Sequence, residues 1–218
     1  MLFILRQHVN PLSSFFESLS VLPSPEELFN CPEQPIHLDI GCARGKFLLN
    51  LAQLQPTSNF LGLEIRETLV NAAKKDVEEL ALENLRFLFC NANVSLENWL
   101  SNIPSELLQM VSIQFPDPWF KRRHRKRRIL QPELLHTLIE NMHCGSQLFI
   151  QGDVLSIIKE MVDLIESTKC FSRIPEDKNL WLNINPFPIP TERESYVIAQ
   201  KKNIFRVLYI RNQKNLVI

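Results

Sequence analysis

The sequence predicts an α/β fold, a mainly parallel sheet with helices on both faces. Three observations predict it. Short apolar runs alternate with helical stretches at the spacing of successive βαβ units. The runs read as buried strands, which is how a sheet covered on both sides reads. The first run, Ile36-His37-Leu38-Asp39-Ile40, ends in Gly41 and opens into a helix, the turn where open α/β sheets bind nucleotides.

Residues 1–34 carry Pro11, Pro23, Pro25 and Pro32 without sustained periodicity, which predicts an irregular arm with one or two helical turns before a single domain over 35–218. After the first strand, the pattern predicts a helix over 46–54, a strand over 59–64 and a longer helix over 67–81. A third strand is expected at 84–90, a short helix at 96–100 and a fourth strand at 110–115. Pro132 suits the first turn of a helix reaching Met142. A fifth strand over 147–150 and a helix over 154–167 follow. Beyond Cys170 the spacing breaks down. Proline-rich 185–190 leads to a helix over 192–202 and a last strand over 204–210.

Composition bounds the function. The chain has 218 residues, 45% hydrophobic with 14 Phe, enough for one domain with its own core. Formal net charge is zero, but residues 121–128 hold seven of the 24 Lys and Arg, leaving 17 positive against 24 negative elsewhere. A polyanion would be steered to that one loop. The five cysteines are odd in number and at least eleven residues apart, so the spacing indicates neither a zinc site nor a disulfide framework. Reduced thiols in a soluble, cytoplasmic enzyme are expected, with no signal segment, no membrane span and no metal.

The cationic run continues Phe115-Pro116-Asp117-Pro118-Trp119-Phe120. Pro118 pushes Asp117 towards extended backbone and Pro116 has its own φ locked, so the carboxylate has few conformations to choose from. A solvated basic turn is the plainer reading of such a charge block.

In the first turn, Gly41-Cys42-Ala43-Arg44-Gly45, Gly41 permits the tight bend and Gly45 lets the helix begin close to the strand. The middle glycine that a pyrophosphate needs is replaced by Ala43, which suits a ligand with an adenosine but no phosphate, such as S-adenosylmethionine. Glu64 closes the second strand 23 residues after Gly41, where an acidic side chain can accept both ribose hydroxyls; an exposed strand-end Glu is the alternative. Asn91 could read an adenine edge or simply make a turn. Asp39, inside an apolar strand, needs donors of its own.

Glycine turn, acidic second-strand end and F-P-D-P-W-x-K-x-R-H-x-K-R-R together resemble the bacterial tRNA (guanine-N7)-methyltransferases, from about residue 35 to the C-terminus. The Arg6-Gln7-His8-Val9-Asn10-Pro11 arm is similar as well. The resemblance implies a Rossmann-like class I S-adenosylmethionine-dependent methyltransferase fold. It implies donor-binding at Asp39, Glu64, Asn91 and Asp117, substrate contacts at Lys121, Asp153, Thr191 and Glu194, and tRNA as the partner, modified in the variable loop. This chain departs at Ala43 (usually glycine), at Phe120 (commonly proline) and at Gln151-Gly152, where threonine before Asp153 is more usual. Asp153 is also a natural N-cap, and Thr191-x-x-Glu194 by itself a capping box.

Guanine N7 carries a free lone pair, so its methylation needs alignment rather than a base. Asp117 would hold the N1–H and N2–H₂ edge and offset the developing cation. Trp119 would stack on the extruded base or pack in the core. Lys121 and the arginines would meet phosphates. Two other classes compete: a nicotinamide-dependent oxidoreductase on the same strand–turn–helix, and a non-catalytic RNA-binding module.

Overall fold

The computed structural model describes residues 9–18, 20–174 and 181–213. Seven strands form one sheet: β1 (Ile36–Ile40), β2 (Asn59–Glu64), β3 (Leu85–Phe89), β4 (Leu108–Gln114), β5 (Gln147–Gly152), β6 (Phe171–Ile174) and β7 (Phe205–Arg211), in the order β3-β2-β1-β4-β5-β7-β6. The first five are parallel to one another, while β7 runs antiparallel to both β5 and β6. The sheet order reverses direction beside β1, so the carboxyl ends of β1 and β4 face a shared crevice.

The helices are α1 (Pro25–Leu28), α2 (Lys46–Leu54), α3 (Glu67–Glu79), α4 (Ala92–Leu100), α5 (Pro132–Asn141), α6 (Leu155–Ser167) and α7 (Glu192–Ala199). Strand side chains alternate between two apolar layers, as the period of two requires. Ile36, Leu38 and Ile40 of β1, with Val111 and Ile113 of β4, pack among the buried residues of α4, α5 and α6. Phe60, Leu85 and Phe87 meet α2 and α3 on the other side. The N-terminal segment joins the first layer through Leu22, Leu28 and Phe29, and Trp99 Nε1 donates to the Pro23 carbonyl at 2.7 Å.

Predicted and observed elements differ at the edges. The α4 helix starts at Ala92, four residues earlier than its periodicity suggests, because the Asn91 side chain caps it. The α7 helix stops at Ala199, and Lys201 beyond it has φ +53. The β6 strand was not expected. It has four residues, pairs only with β7 and buries only Phe171 fully, so it shows little hydrophobic pattern. All five cysteines are free.

Candidate active site

The glycine turn after β1 is built as its sequence requires. Gly41 has φ +83, and a Cβ placed on it would find no heavy atom within 4 Å, so its backbone lies open to a ligand. Gly45 has φ +68, and a Cβ there would sit 2.2 Å from the Phe87 ring. Ala43 holds φ +53, the left-handed region that glycine would take without strain, and its N–H donates to Glu64 Oε2 at 2.9 Å.

A cleft of about 120 Å³ opens at the carboxyl ends of β1, β2 and β4, and its walls include Gly41, Glu64, Asn91, Asp117, Trp119 and Arg66. Glu64 is buried, and Arg66 clamps it through its backbone N–H (3.0 Å), Nε (2.8 Å) and Nη2 (2.9 Å). These bonds raise the Arg66 pKa; burial opposes them, and the Glu64 and Asp117 charges add to the rise. Glu64 is therefore not an exposed strand end. Arg66 was missed by sequence reasoning; its signal was a cation two residues after the acidic strand end.

Asp39 lies inside β1 and is 4% exposed. Its Oδ1 accepts from Ser112 Oγ at 2.6 Å and from Gln114 Nε2 at 3.3 Å. Burial pushes its carboxyl up to about 6, the two hydrogen bonds pull it back, and the nearby Glu64 charge raises it further. His37 Nε2 lies 2.8 Å from Ser112 Oγ. Since the Ser112 hydroxyl proton points at Asp39, His37 must donate from Nε2. Burial drives its pKa down to about 3, so the ring is neutral.

Asn91 lines the cleft and also makes the turn: Oδ1 accepts from the Asn93 N–H at 3.2 Å, while Nδ2 donates to the carbonyls of Pro11 (3.1 Å) and Phe16 (3.3 Å). Of the arm residues, Arg6, Gln7 and His8 lie outside the described residues. Cys90 also lines the cleft, but burial, reinforced by Glu64, pushes its thiol up to about 12, so it is no nucleophile at neutral pH.

Asp117 stands in this cleft between two bulky residues with left-handed backbone, Phe115 (φ +48) and Trp119 (φ +39). Such conformations cost about 1–3 kcal/mol each and persist where surrounding structure imposes them. The imposing contacts are visible: the Phe115 N–H donates to the Gln151 carbonyl at 2.7 Å, and Arg128 donates to the carbonyls of Pro118 (3.2 Å) and Trp119 (3.3 Å). Trp119 carries the Arg127 guanidinium over its ring at 5.1 Å and His124 edge-on at 5.6 Å. The cationic run is a 3₁₀ turn over Arg122–Arg127. Lys121, Arg122, Arg123 and Lys126 are exposed on it, whereas Arg125 and Arg128 pair with Glu160 of α6. Phe120 is 72% exposed beside them.

The remaining substrate-side candidates gather where β5 ends and α7 begins. Asp153 does not cap α6, whose N-cap is Val154; it pairs with Arg193 instead. Thr191 caps α7, its hydroxyl accepting from the Glu194 N–H at 3.0 Å in a complete capping box. Glu194 is 1% exposed and held by Arg206 Nη2 at 2.7 Å and Asn185 Nδ2 at 2.7 Å. Lys121 is exposed at the start of the cationic turn.

Among the described residues no helix is long and apolar enough to cross a membrane, and no group of three or more His, Cys, Asp or Glu could hold a metal ion. Comparison with known proteins places the chain. Residues 33–207 match a family model described as a putative methyltransferase. A tRNA (guanine-N(7)-)-methyltransferase of Prochlorococcus marinus strain MIT 9313 is 59% identical, over 96% of this chain and 89% of its own length. That of Parasynechococcus marenigrum strain WH8102 is 56% identical, over 97% and 90%. Among solved structures, an S-adenosylmethionine-dependent O-methyltransferase from Thermotoga maritima superposes with a TM-score of 0.53 at 13% identity, covering 91% of this chain and 68% of that one, a likeness of fold alone. The nicotinamide and non-catalytic readings find no support among these relatives. With a Rossmann-like methyltransferase sheet, an acidic crevice and a proline-framed aspartate beside a cationic turn, the chain belongs to the tRNA (guanine-N7)-methyltransferase family.

Proposed function

We propose that the protein transfers the methyl group of S-adenosylmethionine to N7 of a guanine in tRNA, in the variable loop by family analogy, as a cytoplasmic enzyme. The observation that carries this reading is that Asp117 and Glu64 line one cleft whose rim continues into the exposed Lys121–Lys126 cations.

The lining suits the donor. The open backbone of Gly41 admits close approach and Glu64 presents a carboxylate to ribose hydroxyls, while Asp39, buried behind the lining and bonded to Gln114 of the cleft wall, adds a negative charge that complements an ammonium. When bound, S-adenosylmethionine supplies an electrophilic methyl on a sulfonium. The side chains then have to position, and such alignment can contribute roughly 7–11 kcal/mol. Asn91 takes the adenine side of the cleft. Asp117 holds the Watson–Crick edge of guanine and offsets the positive charge that N7 alkylation creates. The ring of Trp119 and the Arg127 guanidinium over it act as one unit against the base. Lys121 and its exposed neighbours take phosphates. Asp153 and Thr191 border the substrate, and Glu194 holds their segment in place from within.

Mass spectrometry of nucleosides after incubating unmodified tRNA with donor should reveal 7-methylguanosine; none at all would refute the activity. Asp117→Ala should lose about 100- to 1,000-fold in rate, and near-normal transfer by that variant would remove its assigned role.

A further inference from the structure

A row of polar side chains crosses four strands on the α7 side of the sheet and joins two residues the sequence singled out, Asp39 and Glu194, through three it did not, Gln114, Gln151 and Arg206. Strand register brings Asp39 beside Ser112, Gln114 beside Gln151, and Gln151 beside Arg206. Arg206 Nε donates to Gln151 Oε1 at 3.1 Å, Gln151 Nε2 donates to Gln114 Oε1 at 2.8 Å, and Gln114 Nε2 donates to Asp39 Oδ1 at 3.3 Å. Gln151 Nε2 also donates to Glu194 Oε2 at 3.1 Å, and Arg206 closes the loop on Glu194 Oε1. Gln151 is 0% exposed, Glu194 1% and Arg206 7%.

The direction of this chain is forced. An amide has one donor end and one acceptor end. Arg206 can only donate, so Gln151 must turn its oxygen to β7 and its nitrogen to β4. Gln114 must then turn its oxygen to β5, which leaves its nitrogen for Asp39. Were Gln151 absent, the Gln114 amide would lose the donor that fixes its oxygen end and would be oriented by the Asp39 carboxylate alone.

Resting on the proposed function, we infer that Gln114, Gln151 and Arg206 are positioning residues: a polarised relay from the Arg206 cation holds the donor-side carboxylate of Asp39 ionised and locks it to the head of α7. The groups facing Asp39 are His37 on its own strand, Ser112 and Gln114 on β4, Cys42 in the following turn, and Glu64 of β2 with its Arg66; the Arg206–Glu194 pair lies behind the amides.

Calorimetric titration with S-adenosylhomocysteine from pH 5 to pH 8.5 tests this on the whole chain, with circular dichroism to check the fold. Wild type should lose affinity on acidification with a midpoint near that of Asp39, about 6. Gln114→Met removes the bond to Asp39 itself and should move the midpoint up by about one pH unit, since a lost charge-assisted bond is worth roughly that much, and recover affinity near pH 8.5. Gln151→Leu leaves that bond but frees its far end, and should move the midpoint in the same direction by a smaller amount. A variant whose affinity falls equally at every pH, or whose midpoint coincides with wild type, overturns the relay. Wild type that shows no acid midpoint also overturns it. Wild type that binds no S-adenosylhomocysteine at any pH refutes the donor site itself, a distinct failure.

Discussion

Asp39 shows how one residue exchanges stability for binding. Its carboxyl rises from 3.8 to about 6 through burial. A raised folded-state pKa means that the protonated form is favoured, so this group's contribution is present below about pH 4 and lost as pH climbs through 6. The charged form at neutral pH costs about 3 kcal/mol by that shift. Asp39→Asn should therefore melt no lower than wild type at pH 7.5, lose that advantage below pH 6, and bind S-adenosylhomocysteine at least about tenfold more weakly. Thermal melts and calorimetry at both pH values check this. Arg128 is the reverse case. It sits in the cationic run, but its bonds go to the Pro118 and Trp119 carbonyls and to Glu160. Arg128→Ala should lower kcat by up to about 100-fold by loosening the loop that aims Asp117, while the salt dependence of tRNA binding stays unchanged. A flattened salt slope would make Arg128 a phosphate contact instead.

At the scale of elements, the first strand–turn–helix is set by close packing. Gly45 begins α2 against the Phe87 ring, so a methyl there must displace a buried aromatic and also hold φ +68. Gly45→Ala should cost about 2–5 kcal/mol in denaturant unfolding; a loss under about 1 kcal/mol would show that β3 can shift. The element boundaries most legible in the sequence were those carried by strong apolar periodicity, such as 46–54 and 59–64, which match α2 and β2. Those carried by a cap or by one-sided pairing were not. Asn91 extends α4 backwards by a side-chain bond, and β6 exists because β7 offers it an edge. Neither cause leaves a pattern in hydrophobicity.

Across the whole molecule, charge is segregated: 24 acidic residues stand against 17 basic ones outside 121–128, and of the seven cations within it Arg127 lines the cleft. Neutralising Arg122, Arg123 and Lys126 together should reduce the slope of log Kd for tRNA against log salt by about 2, at roughly 0.7–0.9 per phosphate contact. Donor binding should stay within about twofold; an unchanged slope would move the RNA surface elsewhere. The sequence by itself determined the α/β class, the glycine turn, the acidic end of β2 and the aspartate framed by prolines, because each depends on residues near one another in the chain. Tertiary structure alone decided which cations face outward, that Arg66 grips Glu64, and that Glu194 is a buried strut. It alone joined Asp39, Gln114, Gln151 and Arg206, which stand far apart in sequence and meet only through strand register. Register sets side by side residues from strands far apart in the chain, so which polar side chains meet appears only once the sheet is assembled.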